Sequence, residues 1–184
     1  MNANATFDSP RRPLISQLAK YASYHRDRRN IVTHFVGVPM IVFAVMVLLS
    51  RPEFKVNGVM LSPMWVAALL AVLYYLRLEI SLGLVMAASF AGMGLAAATF
   101  AHASVPMWLC TGLGVFVVGW AIQFLGHYYE GKKPAFVDDI MGLLIGPLFV
   151  AAELLFMLGL RRDLEREIEA VAGPTHIRAQ SAVV

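Results

Sequence analysis

Three histidines, His25, His34 and His127, stand at the ends of apolar stretches, with carboxylates and an amide close to them along the chain. On the last of these stretches Gln123, His127 and Glu130 recur at i, i+4 and i+7, which is one stripe of a helix. A Gly131-Lys132-Lys133-Pro134 turn and the pair Asp138-Asp139 come directly after it. Imidazole plus carboxylate with open positions is the ligand set of non-haem Fe(II) oxygen chemistry, and zinc accepts it too. Gln123 suits a place behind the ligands, fixing an imidazole tautomer. Glu130 is open between three roles: a ligand, a base behind the ligands, or a partner for Arg28 or Arg29. Lys132 and Lys133 serve either as positive anchors at a membrane face or as an attraction for a carboxylate headgroup. Glu153, inside an apolar run, is costly unless paired, so it is either functional or structural glue. His102 sits in a turn and His176 in the C-terminal tail, and neither is expected to ligate.

His25 and His34 are nine residues apart, and on one continuous helix they would point about 180° away from each other. They can share a ligand only if the helix breaks between them. The charged run Arg26-Asp27-Arg28-Arg29 supplies the place, and Asn30 before Ile31 is the expected N-cap of the first membrane helix.

The elements that must position these groups are lipid-soluble. Of 184 residues, 59% are hydrophobic and 15% charged, with a mean hydropathy of +0.67, whereas soluble domains carry about 25% charge. A net charge of +3 on so apolar a chain speaks against a nucleic-acid partner and for anionic lipid headgroups. The one cysteine, Cys110, excludes a disulfide framework and reads as a small packed residue. Residues 1–13 are polar and expected to be flexible. From Leu14 the residues Leu14, Leu18 and Tyr21 mark an amphipathic helix lying on the membrane surface. Apolar segments lie at 31–50, 64–76, 80–101, 106–126 and 140–160, joined by a polar loop at 51–63 and a turn at 102–106. The third is rich in small residues, including Gly92 and Gly94, which let helices approach closely in lipid. The expected fold is all-α: an integral membrane bundle of four spanning helices, a bent or re-entrant fifth segment and the N-terminal amphipathic helix. It forms a single membrane-embedded domain over 14–169, with a flexible tail at 170–184.

Arg11, Arg12, Lys20, Arg26, Arg28 and Arg29 place the N-terminal flank on the cytoplasmic side. Four spans return residues 126–139 to that side, so His25, His34, His127 and Glu130 can meet at one membrane face. A simple fifth span would carry Arg161, Arg162 and Arg166 outside, against the same rule. A break at Gly146-Pro147 is the expected remedy.

The blocks YHRDRRNIVTHFVGVP and GWAIQFLGHYYEGKKPAFVDD, succeeded by GPLFVAAELLFMLGL, resemble the small integral-membrane family of Fe(II)-dependent 2-hydroxy fatty acid dioxygenases. The likeness covers residues 20–162. It is carried by Tyr24-His25, Asn30, His34, Gln123-Phe124, Gly126-His127, Glu130, Pro134-Ala135 and Asp138, with Asp139 where the yeast-type motif has Asn. The resemblance implies α-oxidation: a 2-hydroxy fatty acid and O2 give CO2 and a fatty acid one carbon shorter. Four electrons leave the substrate and O2 accepts four, so no 2-oxoglutarate is needed. It further implies Fe(II) held by His25, His34 and His127, with Glu130 completing the catalytic group. Arg28, Arg29, Lys132 and Lys133 would bind the substrate headgroup, and Asn30, Gln123, Asp138 and Glu153 would support the ligands. The implied localisation is the inner membrane of a bacterium or the endoplasmic reticulum of a eukaryote, with the site at the cytoplasmic face. Di-iron membrane desaturases are excluded because they need about eight clustered histidines and this chain has 5. The competing reading is a non-catalytic lipid-binding or scaffolding protein; a transporter would show an internal repeat, and none is visible.

Overall fold

The computed structural model describes residues 12–179. Helix α1 spans Arg12–Ala22 and α2 spans Arg28–Leu49. Between them the chain turns through residues 23–27, so the break required between His25 and His34 is present. Asp27, not Asn30, caps α2: it has extended backbone and its carboxylate accepts the Arg29 N–H at 2.9 Å. Asn30 lies inside the first turn, fully buried. The arginine-rich run thus supplies its own cap three residues before the expected one. Helix α2 continues through Pro39.

Helix α5, Val105–Glu130, packs chiefly on α2. Its buried residues are Gly112, Gly119, Gln123, Gly126, His127 and Glu130, one narrow stripe. The glycines at 112, 119 and 126 repeat every seven residues and let the two backbones close. A Cβ on Gly126 would lie 2.0 Å from Thr33 Oγ1, and one on Gly112 would lie 2.4 Å from Leu48 Cδ2. Without a hydrophobic drive between helices in lipid, this close van der Waals contact is what holds such a pair. Much of the remaining surface of α5 is exposed and apolar, suited to acyl chains, including Val117, Val118 and Phe124. Cys110 lies off the buried stripe, exposed rather than packed.

Helices α3, Pro63–Leu78, and α4, Ile80–Ala98, pack on each other. The loop expected at 51–63 contains a small antiparallel hairpin, β1 Phe54–Val56 with β2 Val59–Leu61, turning at Asn57-Gly58. Positive φ at both residues explains it, since Asn-Gly is the favoured two-residue turn. Among the described residues three helices, α2, α5 and α4 with its following turn to His102, are long and apolar enough to cross a membrane. Helix α3, at 16 residues, is shorter. The connections sort onto two ends of the bundle. At one end Arg51 donates to the carbonyls of Ala101 and Ala103, and His102 approaches Glu53. At the other end lie α1, Glu79, and the C-terminus of α5.

Helix α6, Met141–Met157, passes unbroken through Pro147. The bend comes later, where α6 and α7, Arg162–Ala172, meet at 118°. It falls there because Gly159 and Arg161 both adopt left-handed backbone and the Leu160 N–H returns to the Leu155 carbonyl, the Schellman closure. Both ends of α6 are tied to the end of the bundle that carries α1. Asp139 pairs with Lys20 at 2.6 Å, and Arg161 pairs with Glu79 at 3.3 Å. Helix α1 therefore buries its stripe in protein rather than lipid: Leu14 and Leu18 are fully covered, with α6 and α7 as the packing partners.

The tail also differs from expectation over its described part. Residues 173–178 run beside the α1–α2 turn in a short parallel bridge. The Arg28 N–H donates to the His176 carbonyl and the His176 N–H to the Arg26 carbonyl, each at 2.9 Å. Residues 1–11 and 180–184, where flexible ends were expected, lie outside the described residues.

Candidate metal centre

His25, His34 and His127 converge at the end of the bundle that carries α1. Their ring centroids are 4.4, 5.0 and 5.2 Å apart, the planes cross at 66° to 82°, and one nitrogen from each lies within 4.8 Å of the other two. All three are buried. His25 comes from the α1–α2 turn, His34 from the second turn of α2 and His127 from the last turn of α5.

Backbone carbonyls set two of the tautomers. His25 Nδ1 is 2.7 Å from the Tyr21 carbonyl and His34 Nδ1 is 2.8 Å from the Asn30 carbonyl, each four residues earlier. A carbonyl only accepts, so both Nδ1 atoms carry the proton and both Nε2 atoms present a lone pair. His25 Nε2 and His127 Nδ1 are buried with no hydrogen-bond partner. Buried polar atoms are nearly always satisfied, so two such nitrogens in a cluster of three imidazoles fit a transition-metal ion of the class that includes iron and zinc. Burial holds the His25 imidazole well below its ordinary pKa, and the neighbouring His34 adds to that. The ring is therefore neutral at pH 7, the state a metal ligand requires. Tyr21 stacks on His25 at 4.2 Å and 9°, and Phe149 of α6 tilts against both rings.

Glu130 stands outside the three-histidine cluster, and its carboxylate is occupied by the α1–α2 turn. Its Oε1 accepts the Arg26 N–H at 3.1 Å, and its Oε2 accepts the Asp27 N–H at 2.8 Å and the Asn30 amide at 3.1 Å. The carboxylate at the end of α5 thus clamps the turn that carries His25. Asp27, fully buried, is gripped by Arg29 through 3.0 and 2.7 Å bonds and receives the Arg178 N–H at 2.8 Å. The Arg29 guanidinium, assisted by these backbone donors, holds the Asp27 carboxyl well below the usual carboxylate range.

A cavity of about 70 Å3 opens beside His34 and His127. Gln123 lines it, and Val38, Val42, Trp120, Phe136 and Leu143 make its wall apolar. Gln123 Nε2 is buried without a hydrogen-bond partner, so that atom is not holding an imidazole. The four expected headgroup residues are elsewhere. Arg29 is on Asp27, Lys132 donates to the Ser23 carbonyl at 2.7 Å, and Lys133 pairs with Asp138 at 2.6 Å. Arg28 borders a second cavity, about 290 Å3, between α2, α6 and α7. Glu153 borders that second cavity too and pairs with the buried Arg26 at 3.4 Å. Asp138 also takes the Tyr24 hydroxyl at 2.8 Å and stays at the surface, braced between Tyr24 and Lys133.

Sequence reasoning missed Tyr21, Asp27, Arg26 and the glycine seam. The seven-residue spacing of Gly112, Gly119 and Gly126 was a readable signal; the pairing of Arg26 with Glu153 and the hold of Glu130 on the N–H groups of Arg26 and Asp27 were not, because those partners lie about 100 residues or more away in the chain.

Residues 12–158 match the family described as 2-hydroxy-palmitic acid dioxygenase Mpo1-like. Among curated proteins, the chain is 31% identical over 162 residues to the 2-hydroxy-palmitic acid dioxygenase MPO1 of Saccharomyces cerevisiae, covering 85% of this chain and 90% of the yeast protein. No solved structure matches. The family match ends with α6, so α7 and the tail strand lie beyond it.

Proposed function

The chain belongs to the Mpo1-like family, and from that footing we propose that it is a membrane-embedded dioxygenase of 2-hydroxy fatty acids whose Fe(II) is held by His25, His34 and His127. The observation that carries this reading is the convergence of three buried imidazoles with two unpartnered nitrogens at the head of an apolar cavity. The overall reaction balances as R–CH(OH)–COOH + O2 → R–COOH + CO2 + H2O. Bound iron would supply the template for the hydroxy acid and the path for electrons to O2.

The protein's own part is positional. The Tyr21 and Asn30 carbonyls keep the proton of each ring on Nδ1, so His25 and His34 would ligate through Nε2. Glu130 and Asp27 fix the turn bearing His25 against α5 and α2. Val38, Val42, Trp120 and Phe136 exclude water beside the reacting carbon and leave a lining suited to the first methylenes of an acyl chain. Transfer of those methylenes from bilayer to cavity gains little, since both are apolar, so selectivity must come from the head of the substrate. The basic residues of α1 and the α1–α2 turn favour the cytoplasmic face for the site.

Oxygen uptake and product analysis with 2-hydroxypalmitate, with and without Fe(II), test the reading. The expected result is iron-dependent consumption of one O2 per pentadecanoate formed. Protein that takes up no iron after anaerobic Fe(II) loading would instead be the lipid-binding scaffold.

A further inference from the structure

The cavity beside the histidines contains a hydrogen-bond donor that nothing uses. Gln123 is 4% exposed and its Nε2 has no partner. A buried donor left bare costs on the order of 1–3 kcal/mol, so such a group calls for an occupant. Its place is built by the opposite helix. A Cβ on Gly37 would come within 2.8 Å of that Nε2, so glycine at 37 leaves the niche in which the amide sits. The niche is one helical turn along α2 from His34, and both His34 and Gln123 line the same cavity.

The residues lining this cavity include no lysine or arginine. The cations nearest in sequence to the histidines are placed elsewhere: Arg26 with Glu153, Arg28 at the second cavity, Arg29 with Asp27, Lys132 with the Ser23 carbonyl and Lys133 with Asp138. An anionic head entering the cavity meets the histidine cluster with whatever metal it holds and neutral side chains, among which the Gln123 amide is a donor buried without a partner. Resting on the dioxygenase reading, we propose that Gln123 is a substrate-binding residue, donating Nε2–H to a carboxylate oxygen of the 2-hydroxy acid. Selection for the acid over an uncharged analogue is then made by this amide and the metal, without a lysine or arginine clamp. The apolar wall of Val38, Trp120 and Phe136 receives the first methylene groups.

The test is calorimetric titration of iron-loaded protein under argon, where no turnover occurs, with 2-hydroxypalmitate and with hexadecane-1,2-diol, which keeps the hydroxyl and lacks the carboxylate. Gln123→Leu and Gln123→Glu are expected to retain wild-type iron content. They should bind the acid about ten- to hundredfold more weakly, the loss of a hydrogen bond to a charged group. Gln123→Glu should be the weaker, since it sets carboxylate against carboxylate, while affinity for the diol stays close to wild type. Unchanged affinity for the acid in both Gln123 variants overturns the proposal and leaves the dioxygenase reading standing. So does loss of iron from both, which would make Gln123 a support of the metal ligands. Wild-type, iron-loaded protein that binds no 2-hydroxy acid refutes the dioxygenase reading, and the role of Gln123 with it.

Discussion

Replacing Glu130 by glutamine separates a clamp from a catalyst. In the structure the carboxylate accepts three buried donors: the N–H groups of Arg26 and Asp27 and the side-chain amide of Asn30. Glutamine has the same shape but exchanges one acceptor oxygen for an NH2. Placed where Oε1 stands, that NH2 orphans the Arg26 N–H; placed where Oε2 stands, it orphans two donors. The milder arrangement loses one hydrogen bond to a charged acceptor, about 1.5–3 kcal/mol. Because the clamped turn carries His25, the loss falls on any equilibrium that requires the turn closed, and metal binding is one. Fe(II) affinity should therefore drop about ten- to hundredfold, the usual scale for groups standing behind metal ligands. Glu130→Ala, which orphans all three donors, should leave iron well below stoichiometry and lower the melting temperature further. Anaerobic Fe(II) titration, iron per chain by mass spectrometry and thermal melting in detergent measure these quantities. At saturating iron, turnover per bound iron in Glu130→Gln should stay near wild type. A variant that binds iron and melts like the wild type while its turnover per iron collapses would refute the clamp and place Glu130 in the chemistry.

The same contacts set further expected outcomes. His25→Ala, His34→Ala and His127→Ala should each reduce bound iron to a small fraction of one per chain, measured by mass spectrometry, since each removes a third of the ligand set. Gly126→Ala should lower stability by about 1–3 kcal/mol or more, read by thermal melting, because its Cβ falls 2.0 Å from Thr33 Oγ1. Asp27→Asn should lower the melting temperature at neutral pH. The folded-state carboxyl is depressed below its unfolded value near 4, so its contribution is complete above about pH 4 and fades as pH falls further. The gap between variant and wild type should therefore be constant from pH 7 to about 5 and close on further acidification. Truncation after Ala172 should speed amide hydrogen exchange at Arg28, whose N–H is bonded to the His176 carbonyl.

The part of the site legible in the sequence was its membership. Histidine is the side chain most often recruited to bind metals, and three of them flanking apolar runs gave the cluster that the structure assembles. The arithmetic of nine residues forced a break between His25 and His34, and the charged run marked where it fell. Gln123, His127 and Glu130 form one buried stripe because the helical period alone places them so. The α-helical character and most apolar segments were equally readable, since long hydrophobic runs without charge have few alternatives in lipid.

The roles of the supporting residues were decided by tertiary structure. Asp27 and Asn30 are both ordinary caps in sequence. Which one caps α2 depends on the turn being pulled back onto Glu130, about 100 residues away. Arg28, Arg29, Lys132 and Lys133 look like a basic patch in the chain, yet partners drawn from the tail, the α1–α2 turn and Asp138 take up three of them and the fourth faces another cavity. A long flexible cation satisfies whichever acceptor the fold brings near, and spacing carries no record of that. The bend at Gly159 rather than Gly146 has the same origin. Proline removes one backbone donor, and a helix packed on several sides absorbs that loss, whereas successive left-handed residues end it. Residue types and periods fixed which groups could meet; the competition among buried partners settled what each one does there.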